Sequence, residues 1–388
     1  MIPYGRQHLD SEDIKAVIDT LQSDWLTQGP AIPKFENALA NYCNSRYGIA
    51  VNSATSALHI ACLALDIGKG DCVWTSPNSF VASSNCALYC GANIDFVDIE
   101  LNTGNMCVDA LRNKLIQAES KGTLPKAIIP VHFAGQPCDM ENIHRLSKEY
   151  GFYVIEDASH AVGAKYKGQF VGSCEFSDIT VFSFHPVKII TTMEGGMAMT
   201  NNSELANKMR MLRSHGITND PDLMTEVSHG PWYYQQVALG FNYRMTDVEA
   251  ALGLSQLSKL SEFVERRNIL AAYYDQRLKD HSRITPLKQN EGNFNSYHLY
   301  VVRVDALSRK QHAELIVALR ENEIFAHVHY IPIHLQPYYK NLGFNEGDYP
   351  NAELYYQQAV TLPLFPELTL EQVDYIVDTL VAAVNSHF

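Results

Sequence analysis

The chain lacks positive charge: 30 Lys and Arg stand against 43 Asp and Glu, a formal net charge of −13 over 388 residues. A uniformly acidic chain repels phosphate backbones and anionic lipid, which argues against nucleic-acid and membrane partners. A few local donors can still hold a phosphorylated small molecule. No apolar run reaches the roughly 18 residues a membrane span needs, so none is expected. The eight cysteines, at 43, 62, 72, 86, 90, 107, 138 and 174, form no Cys-x-x-Cys pair. That spacing is poor for zinc and too sparse for a disulfide scaffold. The opening stretch from Met1 to Asp10 has neither a basic nor an apolar region, so no signal peptide is expected and the chain reads as soluble and cytoplasmic. Repeats, low-complexity segments and a strand followed by Gly-x-Gly-x-x-Gly are also missing, and the last absence removes the main support for dinucleotide binding. What remains is an ordinary globular composition, 46% hydrophobic and 19% charged. Its length, at about 150 residues per domain, suggests two or three domains with a large core.

From about 50 to 215, short apolar runs at 71–75, 94–98, 127–131, 153–156 and 179–184 alternate with helical patterns. One of these is 140–150, with Ile143, Leu146 and Tyr150 on one stripe. Such alternation predicts an α/β fold with a parallel sheet covered on both faces, and ligands at the carboxyl ends of its strands. A long helix is expected over 246–279, opened by the Thr246/Glu249 capping box. A strand at 297–304 and helices at 309–322 and 370–384 then make a smaller α/β unit. The division is placed near 255, giving a large domain over 1–255 and a small one over 256–388.

Three constellations carry chemistry. Asn52-Ser53-Ala54-Thr55-Ser56 leads into a helical stripe of Leu58, Cys62 and Leu65, so free N–H groups and hydroxyls gather at a positive helix end. Taken alone, this reads first as an ordinary N-cap. The strand-like 152–155 ends in Glu156-Asp157, with His160 three positions on. An acid there suits a ribose, a metal or a protonated ring nitrogen, and equally a helix cap. Finally, 180–184 delivers Ser183 and His185, Pro186 ends the strand, and Lys188 follows in apolar company beside Gly195-Gly196. An apolar setting is costly for a charged lysine, whereas a Schiff base suits it. The ordinary alternative is a lysine snorkelling to the surface. In this order the three match what pyridoxal 5′-phosphate demands: a phosphate cradle, a carboxylate for the ring nitrogen and a lysine for the aldehyde.

Several stretches make the chain recognisable: Met1-Ile2-Pro3-Tyr4-Gly5-Arg6-Gln7, Leu26-Thr27-Gln28-Gly29-Pro30, Pro130 to Pro137, Phe182 to Lys188, and His329-Tyr330-Ile331-Pro332. It resembles, essentially end to end, the DegT/DnrJ/EryC1/StrS family of sugar aminotransferases. The resemblance implies the fold-type I, aspartate aminotransferase-like architecture, with a large mostly parallel sheet domain and a smaller C-terminal α/β domain. It implies catalytic roles for Lys188 (the Schiff base), Asp157 (the pyridinium nitrogen) and His160 (beside the ring's phenolic oxygen). Thr55, Ser56 and Ser183 would hold the phosphate, and Phe80 would stack on the ring. Asn242 would reach the phosphate of the other subunit, implying a homodimer with shared active sites. Tyr4, Trp25, Leu26, Thr27, Gln28, Val328, His329 and Tyr330 would contact the nucleotide sugar, with Ser56, Ser183, His185 and Asn242 also facing substrate. Two departures stand out: Ala54 and Met193 occupy positions where most relatives have Gly.

The activity so implied is transfer of an amino group from L-glutamate to C4 of a UDP-linked 4-keto-6-deoxy-N-acetylhexosamine of L-arabino configuration, through pyridoxal and pyridoxamine phosphate. Alternatives are a D-xylo 4-ketone or a 3-ketone, and a non-catalytic nucleotide-sugar sensor that binds the cofactor. The family's dehydratases carry His where this chain has Lys188. His327, His329 and His334 invite a metal reading, but no acid or Cys lies close in sequence to finish a site. Arg266-Arg267 reads as a solvated helix face.

Overall fold

Branched and small apolar residues in runs of three to five make strands that can be buried on both faces. The computed structural model, which describes residues 1–305 and 308–386, assembles seven of them into one sheet. Its order is Tyr47–Val51, Gly196–Thr200, Ile179–Ser183, Tyr153–Asp157, Ala127–Ile129, Cys72–Thr75, Asn93–Phe96. Gly196–Thr200 runs antiparallel to both neighbours; the remaining pairs are parallel. Ile179–Ser183 and Gly196–Thr200 are buried throughout, as helices packed on both faces require. Ala54–Ala64 covers one face, in a cluster holding Leu58, Ile60, Val73 and Val181. On the other, Ala31–Cys43 and Met140–Tyr150 bury Phe35, Leu39, Ile143 and Leu146.

A three-stranded antiparallel sheet follows, in the order Ile284–Pro286, Tyr300–Val304, Ala359–Leu362. Leu260–Leu278, Arg309–Glu321 and Leu370–Ser386 pack on it around a separate apolar cluster, which also takes in Ile2. Ile2–Pro3 pairs in parallel with Ile324–Phe325, so the chain's first residues lie against this second layer. Among the described residues no helix is long and apolar enough to cross a membrane.

Two expectations are corrected. The helix expected over 246–279 is two, Asp247–Ser258 and Leu260–Leu278, joined at Lys259. No Gly or Pro signals the break. Lys259 is held there by Asp10 and Asp13, each 2.7 Å from its Nζ. Arg267 is no solvated face either. It is 1% exposed, and its Nη1 donates to the carbonyls of Tyr297, His298 and Leu364. Arg266 reaches the carbonyls of Pro366 and Leu368.

Candidate active site

The strands Tyr153–Asp157 and Ile179–Ser183 are neighbours in the sheet, so their carboxyl ends bring Asp157 and Ser183 to one edge. Lys188 returns to that edge on the loop that follows, and Ala54–Ala64 starts beside it. The result is a cavity of about 620 Å³, lined by Tyr4, Thr55, Phe80, Asp157, His160, Ser183, His185, Lys188, Val328, His329 and Tyr330 among others. Eleven residues singled out from the sequence thus converge, although they span 327 positions.

Each wall has its own cause. Ser53 caps the helix in extended backbone, its Oγ accepting the Ser56 N–H at 3.1 Å. The first N–H groups of the helix lack internal acceptors and remain available for an anion. Ala54 is the first helical residue and is not among the left-handed positions, so this departure brings no backbone strain. Met193 does: its φ is +71°. Gly196 is required for a different reason. A Cβ there would lie 2.5 Å from the Ala54 nitrogen, because strand and helix start pack backbone to backbone.

Asp157 is 4% exposed. Its Oδ2 accepts from Ser83 Oγ at 2.6 Å, and its Oδ1 from the hydroxyl (2.6 Å) and N–H (3.1 Å) of Ser159. Glu156 points the other way and serves the structure. Burial would raise its pKa, but bonds from His132 (2.6 Å), Ser177 and Thr180 together hold it low. His160 is held by two bonds: the Ala134 N–H donates to its Nδ1 (3.3 Å), which leaves Nε2–H for the Tyr330 hydroxyl at 3.1 Å. Burial, with Lys188 and His329 nearby, keeps this imidazole neutral. Lys188 opens into the cavity, yet desolvation lowers its amine to about 8 against the opposing pull of Asp157. Tyr4, His327 and His329 cluster at the mouth with ring centroids 4.7–5.4 Å apart.

Other residues named from the sequence lie elsewhere in the single chain. Ser56 turns inward, donating to Asn52 Oδ1 at 2.7 Å. Trp25 and Leu26 are exposed on a loop pinned to the next layer through Asp247, which accepts the N–H groups of Gly29 and Ala31. Thr27 bridges to Thr246, and Gln28 takes φ +56° in the same loop. Asn242 is exposed, and its backbone pairs with Ser214 and the Asn52 side chain. His334 is bonded to Glu353 and His329 to Thr361. Among the described residues no cluster of His, Cys, Asp or Glu could hold a metal. Sequence reasoning missed Ser83, Ser159 as a partner of Asp157, and His298, whose Nε2 is 3.5 Å from Lys188 Nζ.

The donor set fits pyridoxal phosphate. Among the described residues, the Lys188 amine and the Asp157 carboxylate share the cavity without forming an ion pair with each other or anything else. Such groups cost stability unless a ligand answers them. An aldehyde answers the amine and a protonated ring nitrogen the carboxylate, while the helix start answers a phosphate. Sheet and site together define a fold-type I pyridoxal phosphate-dependent transferase.

Residues 7–381 match the model of the DegT/DnrJ/EryC1/StrS aminotransferase family. The chain belongs to that family and is a sugar aminotransferase that uses pyridoxal phosphate. It is 39% identical to the spore coat polysaccharide biosynthesis protein SpsC of Bacillus subtilis, over 98% of this chain and 96% of that one. It is 38% identical, with the same coverage, to the UDP-4-amino-4,6-dideoxy-N-acetyl-β-L-altrosamine transaminase of Campylobacter jejuni. Among solved structures, Helicobacter pylori PseC, an aminotransferase of pseudaminic acid biosynthesis, superposes with a TM-score of 0.91 at 34% identity over 99% of both chains. The sugar aminotransferase Spr1654 of Streptococcus pneumoniae, solved in pyridoxal and pyridoxamine phosphate forms, gives 0.89 and 0.90 at 32% identity over at least 99% of each chain.

Proposed function

We propose that the protein transfers an amino group from L-glutamate to C4 of UDP-2-acetamido-2,6-dideoxy-β-L-arabino-hex-4-ulose, giving UDP-4-amino-4,6-dideoxy-N-acetyl-β-L-altrosamine. The observation that carries transamination is a lysine amine and a buried carboxylate that share one cavity and, among the described residues, form no ion pair with each other or with another charged group. The choice of sugar is supported by the names of the C. jejuni and H. pylori relatives. Pyridoxal phosphate, when bound, supplies the aldehyde that takes up the amino group and the electron-accepting ring.

The chain's own groups do the rest. Asp157, oriented by Ser83 and Ser159, would receive the ring N–H. The start of Ala54–Ala64, with Thr55 and Ser183, would hold the phosphate. His160, fixed by Ala134 and Tyr330, would meet the ring's phenolic oxygen as a neutral imidazole, and Phe80 borders the opening. Lys188 Nζ takes a proton from Cα of glutamate in one half-reaction and returns one to C4 of the sugar in the other. An amine lowered to about 8 serves both directions, because it is neither fully charged nor fully neutral near physiological pH. The Tyr4, His327 and His329 rings give a nucleobase and diphosphate an aromatic, hydrogen-bonding mouth, with Val328 and His185 at its edge.

The exposure of Asn242 and of the Trp25–Gln28 loop, away from the cavity of their own chain, supports a homodimer in which a second copy completes the phosphate and substrate sites. The deciding assay offers the two C5-epimeric UDP-4-keto sugars separately with glutamate and follows 2-oxoglutarate. Turnover on the L-arabino epimer alone is expected; turnover on the D-xylo epimer alone overturns the sugar. Lys188→Ala should lose both turnover and the visible absorbance of lysine-bound cofactor.

A further inference from the structure

His298 belongs to none of the motifs read from the sequence and does not line the cavity, yet its Nε2 is the nearest polar atom bonded to the Lys188 amine, at 3.5 Å. It is 4% exposed. Several contacts fix it. Arg267 Nη1 donates to its carbonyl at 3.3 Å, and Ser296 Oγ just before it donates to the His160 carbonyl at 3.1 Å. The Leu299 N–H just after it donates to the Ala134 carbonyl at 3.2 Å. The His298 ring centroid is 4.4 Å from that of His160. Its second nitrogen, Nδ1, is buried without a hydrogen-bond partner among the described residues.

We infer that His298 is a positioning residue for Lys188, its Nε2 pairing with the lysine amine whenever that amine is not covalently engaged and holding it aimed into the cavity. The inference rests on reading Lys188 as the reactive amine. An ammonium group has only donors, so facing one, Nε2 must offer its lone pair and Nδ1 must carry the ring proton. That proton is then buried with nothing to receive it, which makes the arrangement less favourable than a fully satisfied one. A neutral amine has both donors and a lone pair, so it accommodates either tautomer. The pair thus orients the amine without trapping it as the ammonium, as a carboxylate in the same place would.

His298 itself stays neutral, because burial, then Lys188, His160, Arg267 and His329, all oppose a proton. The groups acting on the amine are Asp157 at the end of its strand, His160 just beyond, His329 on the cavity mouth and His298; Arg267 stands behind His298. Of these Asp157 favours the ammonium by its charge, and His298 adds a neutral acceptor to it.

The test uses the apoprotein, so it does not depend on turnover. Lys188 is reductively methylated with formaldehyde and a borohydride at a series of pH values, and its peptide is quantified by mass spectrometry. His298→Phe keeps a ring but removes the acceptor. It should shift the titration midpoint downward, lowering the ammonium-to-amine ratio at fixed pH about three- to tenfold. His298→Gln, whose amide oxygen can accept, should restore most of that ratio. A midpoint in His298→Phe equal to or above that of the wild type overturns the inference, as does an equal shift in both variants. Should His298→Phe not fold, wild-type apoprotein labelled with 15N-histidine decides. One buried imidazole should hold its proton on Nδ1 below the Lys188 midpoint and change as Lys188 deprotonates; its absence overturns the inference. Failure of pyridoxal phosphate and borohydride to label wild-type Lys188 would count instead against Lys188 as the reactive amine.

Discussion

Gly196→Ala separates the phosphate cradle from the rest of the site. The added methyl would sit 2.5 Å from the Ala54 nitrogen, 2.6 Å from the Ser53 carbonyl carbon and 2.7 Å from the Ala54 Cα. All three are backbone atoms, so no rotamer change relieves the clash. The strand cannot yield easily, because Gly196 is paired with Val51 on one side and Ser183 on the other. The helix start must move instead. Overpacking of this kind costs about 1–3 kcal/mol of stability. The functional cost is separate. A hydrogen bond to a charged group is worth roughly 1.5–3 kcal/mol, so misplacing one N–H at the phosphate weakens binding about 10- to 100-fold. Folded apoprotein is titrated with pyridoxal phosphate and with pyridoxal, followed by absorbance. The variant should lose affinity for the phosphorylated compound only. Gly195→Ala is the control, since its methyl meets the side chains of Thr192 and Met245 rather than the helix start. Unchanged affinity for pyridoxal phosphate in folded Gly196→Ala, or an equal loss for pyridoxal, refutes the placement of the phosphate.

Two stability measurements bear on the same loop and lysine. Lys188 has its folded-state pKa lowered from 10.5 to about 8, so below pH 8 both folded and unfolded chains carry the proton and the cost of enclosing the charge is fully present. Between about 8 and 10.5 the unfolded chain binds more protons, and stability of the apoprotein rises with pH. Lys188→Met should therefore stabilise apoprotein at pH 7 by up to ~3 kcal/mol, less in so far as water in the cavity screens the amine. Urea unfolding at pH 7 and pH 10 should show the gap narrowing; a gap that widens with pH is the wrong sign for this account. At Met193, φ +71° and an exposed side chain make Gly neutral or slightly stabilising, with strain relief offset by backbone entropy. A β-branched Val should instead cost about 1 kcal/mol or more. Melting temperatures in the order Gly at or above Met, and Met above Val, are expected; Val equal to Met contradicts the backbone argument.

The parts of the site legible in the sequence are those where local chemistry and chain order coincide. Asp157 ends a strand, Ser53 opens a helix, and Lys188 follows a Pro that ends another strand. Strand ends shifted by up to three residues, as where the strand expected over 297–304 starts at Tyr300, since pairing partners rather than composition set them. Gly196–Thr200 escaped because Gly-Met-Ala-Met-Thr has little β character; its place comes from two flanking strands. The break at Lys259 escaped because ion pairs to Asp10 and Asp13, some 250 positions earlier, make it. Arg267 looked solvated because a paired arginine on a charged helix usually is, and only the fold brings three carbonyls to it. His298 was illegible for the same reason: it approaches Lys188 from the second layer, 110 positions away.

The missed residues have a common consequence for the electrostatics of the cavity. Much of the chain's positive charge is committed elsewhere, Arg213 to Glu36, Lys259 to Asp10 and Asp13, and Arg267 to carbonyls. His160 and His329 line the site and His298 stands against Lys188 from outside the lining, but burial holds all three neutral, His329 down to about 3. The charge available to an anionic ligand therefore comes from the helix start, which is fixed, and from Lys188, which titrates near 8. An acidic protein can thus bind a phosphate without any cluster of arginines. Because His160, His298 and His329 are held neutral, a proton moving on or off Lys188 changes their part of the cavity by a single charge. A base that must give back at one carbon what it took from another needs that isolation from competing proton acceptors, and here burial rather than distance supplies it.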